Sequence, residues 1–93
     1  MTNERFANVW DAIEDTPAEA ENMKVRSSLM LALQQRIETS GMIHGEAASL
    51  YGVTRPRMSD LMHGKISLFG IDALINMLAS AGLHVEVQIA EAA

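Results

Sequence analysis

The chain contains no cysteine, which excludes disulfides and every cysteine-ligated metal or iron–sulfur site. Aromatic residues are nearly as scarce. Phe6, Trp10, Tyr51 and Phe69 are the full set, so the core must be assembled from Leu, Ile, Val, Ala and seven Met. Long apolar runs are missing too, and no stretch approaches the ~20 residues needed to span a bilayer. The opening "MTNERFANVW" lacks the cationic start and apolar run of a secretory signal. The expected setting is therefore the cytoplasm. Positive charge is in short supply, with 7 Lys and Arg against 12 Asp and Glu, a formal net charge of −5. That balance argues against a general nucleic-acid binder, which is usually basic.

What is present is enough for one small domain. Of 93 residues, 48% are hydrophobic, which supports a modest core and argues against disorder. The charge is unevenly placed. Residues 1–21 carry Glu4, Asp11, Glu14, Asp15, Glu19 and Glu21 against Arg5 alone, whereas residues 53–66 carry Arg55, Arg57 and Lys65 against Asp60. Within a Debye length of about 10 Å, local sign outweighs net charge.

Periodicity divides the chain into an acidic helical segment, residues 1–15, and a main domain, residues 16–93. In the first, Phe6, Val9, Trp10 and Ile13 share one helix face. This acidic amphipathic surface either docks on a basic partner or packs Trp10 onto the domain. "TPAE" then reads as a helix start, with Thr16 as cap, Pro17 in the first turn and Glu19 able to close a capping box. The helix should reach Ser40 and stop at Gly41, burying Leu29, Met30, Leu33 and Ile37. Leu31 falls outside that stripe. Further helices are expected over Gly45–Tyr51, Thr54–His63 and Ile71–Ala81, the last with Ile71, Leu74, Ile75 and Leu78 inward. Then "HVEVQI" alternates, with Val85, Val87 and Ile89 on one side, as a half-buried strand. A lone strand leaves its backbone unpaired, so a second copy about a two-fold axis is the expected partner. The alternative is a loose extension packed on the last helix.

"AASLYGVTRPRMSDL" carries the chemistry. Two helices crossing steeply need a small residue at the contact, which Ala48 supplies, and a turn tolerant of left-handed backbone, which Gly52 supplies. Val53, Met58 and Leu61 anchor the second helix, leaving Arg55, Pro56, Arg57, Ser59 and Asp60 facing outward. This is a helix-turn-helix, whose second helix enters the major groove by its N-terminal edge. Pro56 breaks no bond there, because it lies in the first turn behind the Thr54 cap. Arg55 is the candidate for a base contact, as a guanidinium bridges O6 and N7 of guanine. Thr54, Arg57, Ser59, His63 and Lys65 are candidates for phosphates. The bland reading is two packed helices with solvated arginines. His44, His63 and His84 are scattered, so no metal site is expected. No nucleophile–base pair, phosphate loop or carboxylate pair suggests an enzyme, and no cofactor is called for.

The block "GMIHGEAASLYGVTRPRMSDLMHGKISLFGIDALINMLASAGLHVEV" resembles the Cro/repressor-type (XRE) helix-turn-helix, and more narrowly the HigA-like antitoxins of type II toxin–antitoxin pairs. The likeness covers roughly residues 16–89, with "GVTRPRMSDLMHGKISLF" its most specific part. It implies a mainly α, five- to six-helix lambda-repressor-like domain with one C-terminal β-strand pairing across a dimer. It further implies a dimer that represses its own operon and neutralises a RelE-like ribonuclease toxin. Two positions depart from the family pattern. Where it has Thr or Ser and then Gln, this chain has Ile43 and His44. Ile43 cannot cap, while His44 can donate to a phosphate or stand merely exposed. A solitary phage-type repressor, or an adaptor whose motif binds only protein, remains the alternative.

Overall fold

The computed structural model describes residues 16–92. The expected amphipathic segment with Phe6, Val9, Trp10 and Ile13 lies outside them. Among the described residues there are four α-helices and one 3-10 turn: α1 Pro17–Ser40, α2 His44–Tyr51, α3 Arg55–Met62, the turn Ile66–Leu68, and α4 Ile71–Ser80. The helical class expected from periodicity is therefore present, and the helix bounds fall within a residue or two of those read from the sequence.

The longest helix, α1, starts as its sequence dictates. The Thr16 hydroxyl accepts the backbone N–H of Glu19 at 3.1 Å, satisfying a donor that has no partner within the helix. Its end comes at Gly41, whose N–H reaches the Glu38 carbonyl. Along α1, Ala20, Ser27, Met30, Leu33 and Ile37 recur at helical spacing and are buried, while Leu29 and Leu31 are half-buried. Met30, Leu33 and Ile37 of that stripe are the floor of one core, completed by Ala47, Ala48 and Tyr51 from α2, Met58 and Leu61 from α3, Phe69, and Leu74, Met77 and Leu78 from α4.

Two polar contacts tie α1 to the ends of shorter helices. The Gln34 amide donates to the Leu61 carbonyl at 2.8 Å, and Arg36 donates to the Ala81 carbonyl at 3.3 Å. The Leu61 carbonyl also accepts the Gly64 N–H at 3.1 Å, so Gln34 adds a second donor there, while Ala81 is the residue that caps α4. α1 thus holds the back of α3 and the end of α4 by hydrogen bonds as well as by burial.

Two expectations change. On α4 the inward face is Leu74, Met77 and Leu78, with Ile71 half-buried and Ile75 exposed. Both stripes have helical spacing, and α1 selects the one rotated toward Met77. The strand expected over His84–Ile89 is not formed within the described residues. A strand exists only where a ladder supplies partners for its N–H and C=O groups, and the described residues of a single copy offer none. Instead residues 85–88 run beside Lys24, Val25, Ser28 and Leu29 of α1 along a cleft of ≈ 300 Å³. Val85 packs on the core, while Val87 and Ile89 remain 77% and 88% exposed.

Leu33 has no solvent exposure, so Leu33→Ala should lower unfolding free energy by about 2–5 kcal/mol. A urea midpoint equal to wild type, at unchanged slope, would show that the core is not centred on α1.

Candidate nucleic-acid interface

The turn between α2 and α3 is built by backbone geometry. Gly52 has φ 68°, in the left-handed region that residues with a Cβ avoid. There its N–H reaches the Ser49 carbonyl at 3.3 Å, and the N–H of Val53 reaches the Ala48 carbonyl at 2.9 Å. This pair of bonds closes the end of α2 and reverses the chain. Ala47 and Ala48 are both buried where α2 meets α3 and the core, so the two helices approach without an intervening side chain. Thr54 then opens α3, its hydroxyl accepting the Arg57 N–H at 3.2 Å. Pro56 sits in the first turn as expected.

The start of α2 is solved differently. Ile43 has no side-chain acceptor, yet the Glu46 carboxylate accepts the Ile43 N–H at 3.2 Å. Half of a capping box therefore forms, supplied from within the helix. His44 stands exposed at the first position of α2.

The motif brings the N-terminal ends of α2 and α3 to one edge. Thr54, Arg55 and Pro56 are exposed there. The Arg55 guanidinium lies against Gly45, in the space a Cβ on that glycine would occupy. Arg57, two residues on, behaves otherwise, although an outward position was expected of it. It is half-buried, donating to the Leu68 carbonyl at 2.7 Å with its Cζ 4.0 Å from the centroid of the buried Phe69 ring. A cation over an aromatic face and a charge-assisted hydrogen bond together fasten α3 to the segment after it.

The remaining candidates cluster at the far end of α3. Ser59 and Asp60 are also half-buried rather than fully outward. His63 folds back so that Nδ1 lies 2.7 Å from the Ser59 carbonyl and 3.2 Å from its hydroxyl. A carbonyl only accepts, so Nδ1 carries the hydrogen and Nε2 donates only when the ring is protonated. Lys65 pairs with Asp60 at 3.3 Å but remains largely exposed. Of the three basic side chains in this region, Arg55 and Lys65 reach solvent and Arg57 faces the protein. Sequence reasoning gave Arg57 and Arg55 similar outward positions; it had no signal for Phe69 as a receptor lying 12 residues away. Gln34 and Gly45 were missed for the same reason, since their partners are distant in sequence.

Among the described residues, no group of His, Asp and Glu is placed to hold a metal ion, and no helix is long and apolar enough to cross a membrane.

Arg57→Ala should cost about 1–3 kcal/mol of stability, measured by urea unfolding. Arg57→Lys should recover only part of it, because an ammonium lacks the planar fork that serves ring and carbonyl together. Full stability of the alanine variant would remove this brace from the account.

The geometry is that of a helix-turn-helix with its second helix offered to a groove. Comparison with curated proteins finds no match. A family model described as a helix-turn-helix domain matches residues 12–90, spanning the long helix, the motif, α4 and the tail. The chain belongs to that helix-turn-helix domain family.

Proposed function

We propose that this protein is a sequence-specific, homodimeric DNA-binding repressor, not an enzyme, and the antitoxin of a type II toxin–antitoxin pair in the cytoplasm. The observation carrying the DNA reading is the exposed N-terminal edge of α3, with Arg55 at its first position behind the Thr54 cap. In this orientation a guanidinium reaches the edge of a guanine in the major groove, and Thr54 and His44 approach phosphates on either side. Pro56 contributes shape rather than a donor. Lys65, Ser59 and His63 face the backbone beyond the far end of α3, and Arg57 acts by holding that helix in place.

Support for the dimer comes from the apolar residues that the single copy leaves uncovered. Val87, Ile89 and Ile75 are exposed on the tail and α4, while Val85 is already seated. Pairing two tails would cover the first two and satisfy their backbones. The recognition helices should then read half-sites one turn apart, ~34–36 Å. Support for the antitoxin role is the resemblance of the central block to HigA-like proteins, whose partners are RelE-like ribonucleases.

Four measurements test this reading. Arg55→Ala should weaken binding to the selected site and relax its base preference there by about 1–3 kcal/mol. With Arg55 exposed and Lys65 paired to Asp60 but largely exposed, affinity should fall with salt at a log–log slope of roughly −1 to −2 per protomer. No salt-sensitive affinity for any duplex would sink the DNA reading in favour of an adaptor that binds only protein. Separately, Val87→Lys combined with Ile89→Lys should halve the mass seen by sedimentation without unfolding the domain. An unchanged dimer would place the interface elsewhere. Co-expression with the adjacent small gene should restore growth and yield a complex; a non-toxic neighbour would leave a solitary repressor.

A further inference from the structure

Of the six glycines, five have nothing closer than 3.9 Å to the place where a Cβ would stand. Gly45 is the exception. A Cβ there would lie 2.6 Å from Nη2 of Arg55 and 3.0 Å from both its Cζ and Nε. Contacts under 3.0 Å are essentially never made by real Cβ atoms, so the two cannot coexist as placed. Nη2, Cζ and Nε are therefore the part of the guanidinium that lies nearest the glycine.

Nothing in the backbone asks for glycine at this position. Gly45 is not among the residues with positive φ, and it lies in the first turn of α2, where alanine is the better helix former. Among the described residues, the three atoms nearest a Cβ at this position all belong to Arg55. We infer that Gly45 sets the DNA specificity of this protein by providing the berth that holds the Arg55 guanidinium at the DNA-facing edge. The inference rests on the DNA-binding reading above, in which Arg55 contacts a base.

The physical effect is preorganisation. An arginine free in solvent samples many rotamers and loses that freedom on binding. One resting against Gly45 has its head beside the start of α2, although the residue itself is exposed. Any side chain at position 45 evicts it and returns it to the wider set of rotamers, or directs it to a different base. Gly45 is thus a positioning residue, acting through Arg55.

The test is a double-mutant cycle on the full chain, using duplexes selected from a randomised pool by the wild-type protein. Gly45→Ala should bind the selected duplex roughly three- to tenfold more weakly and relax or shift the preference at the Arg55-dependent base. Its urea midpoint should be equal to wild type or higher, which separates lost positioning from lost folding. In an Arg55→Ala background the same change should have no effect on affinity. A Gly45→Ala protein with unchanged affinity and base preference would overturn the inference. So would an equal loss with and without Arg55. In the free protein, a nuclear Overhauser contact between the Gly45 α-protons and the Arg55 side chain reports the berth independently of DNA. Its absence overturns the berth itself. A wild-type chain that selects no duplex while showing that contact would overturn the functional reading and the specificity role together, leaving only a packing contact.

Discussion

The reversal at Gly52 is the constraint on which the rest of the surface depends. Two helices of eight residues each are too short to hold their own direction in water, and neither persists without tertiary contacts. Their relative angle is set where the backbone turns left-handed and Val53 reaches back to Ala48. Once that angle is fixed, Ala48 permits close approach, Met58 and Leu61 fall into the core, and the opposite edge of α3 is left exposed. Core and interface are thus two faces of one turn.

Holding a short helix at one end does not orient it, and α3 is held at both. At its start the Thr54 cap and the Arg57 brace act within a single turn of each other. At its finish Gln34 takes the Leu61 carbonyl. The three contacts draw on different chemistry: a hydroxyl on a backbone donor, a cation on a ring, and an amide on a carbonyl. Arg57 is the most economical of them, because one side chain spans the hydrophobic core and the loop behind it. Charge near the interface is consequently sparse. Of three basic residues, one is turned inward and one pairs with Asp60.

Much of this was legible in the sequence, because caps and stops are local chemistry. Thr16, Thr54, Gly41 and Gly52 announce helix ends through bonds made within a few residues, and each stands where expected. The motif was legible because the small, turning and anchoring positions fall within 15 residues of one another. What escaped was set by distance. Arg55 and Arg57 look alike in sequence, and only Phe69 and Gly45 distinguish them. The inward face of α4 depended on the neighbour that α1 presents, so Met77 displaced Ile75. The alternating tail kept its apolar pattern but not its strand, since a ladder is a property of two segments and the described residues form no second one. The unpaired Val87 and Ile89 are what that pattern leaves behind.

The bond from Glu46 back to Ile43 has a consequence for how this surface can change. In most helix starts the residue before the first turn is committed to a hydroxyl or an amide, and its replacement loosens the helix. Here the carboxylate one turn inside accepts the Ile43 N–H, while the Ile43 side chain makes no cap bond and stands largely in solvent. Replacing that side chain therefore costs the helix no hydrogen bond. A lineage carrying this arrangement can explore new side chains beside the binding edge without first finding a compensating stabilisation elsewhere.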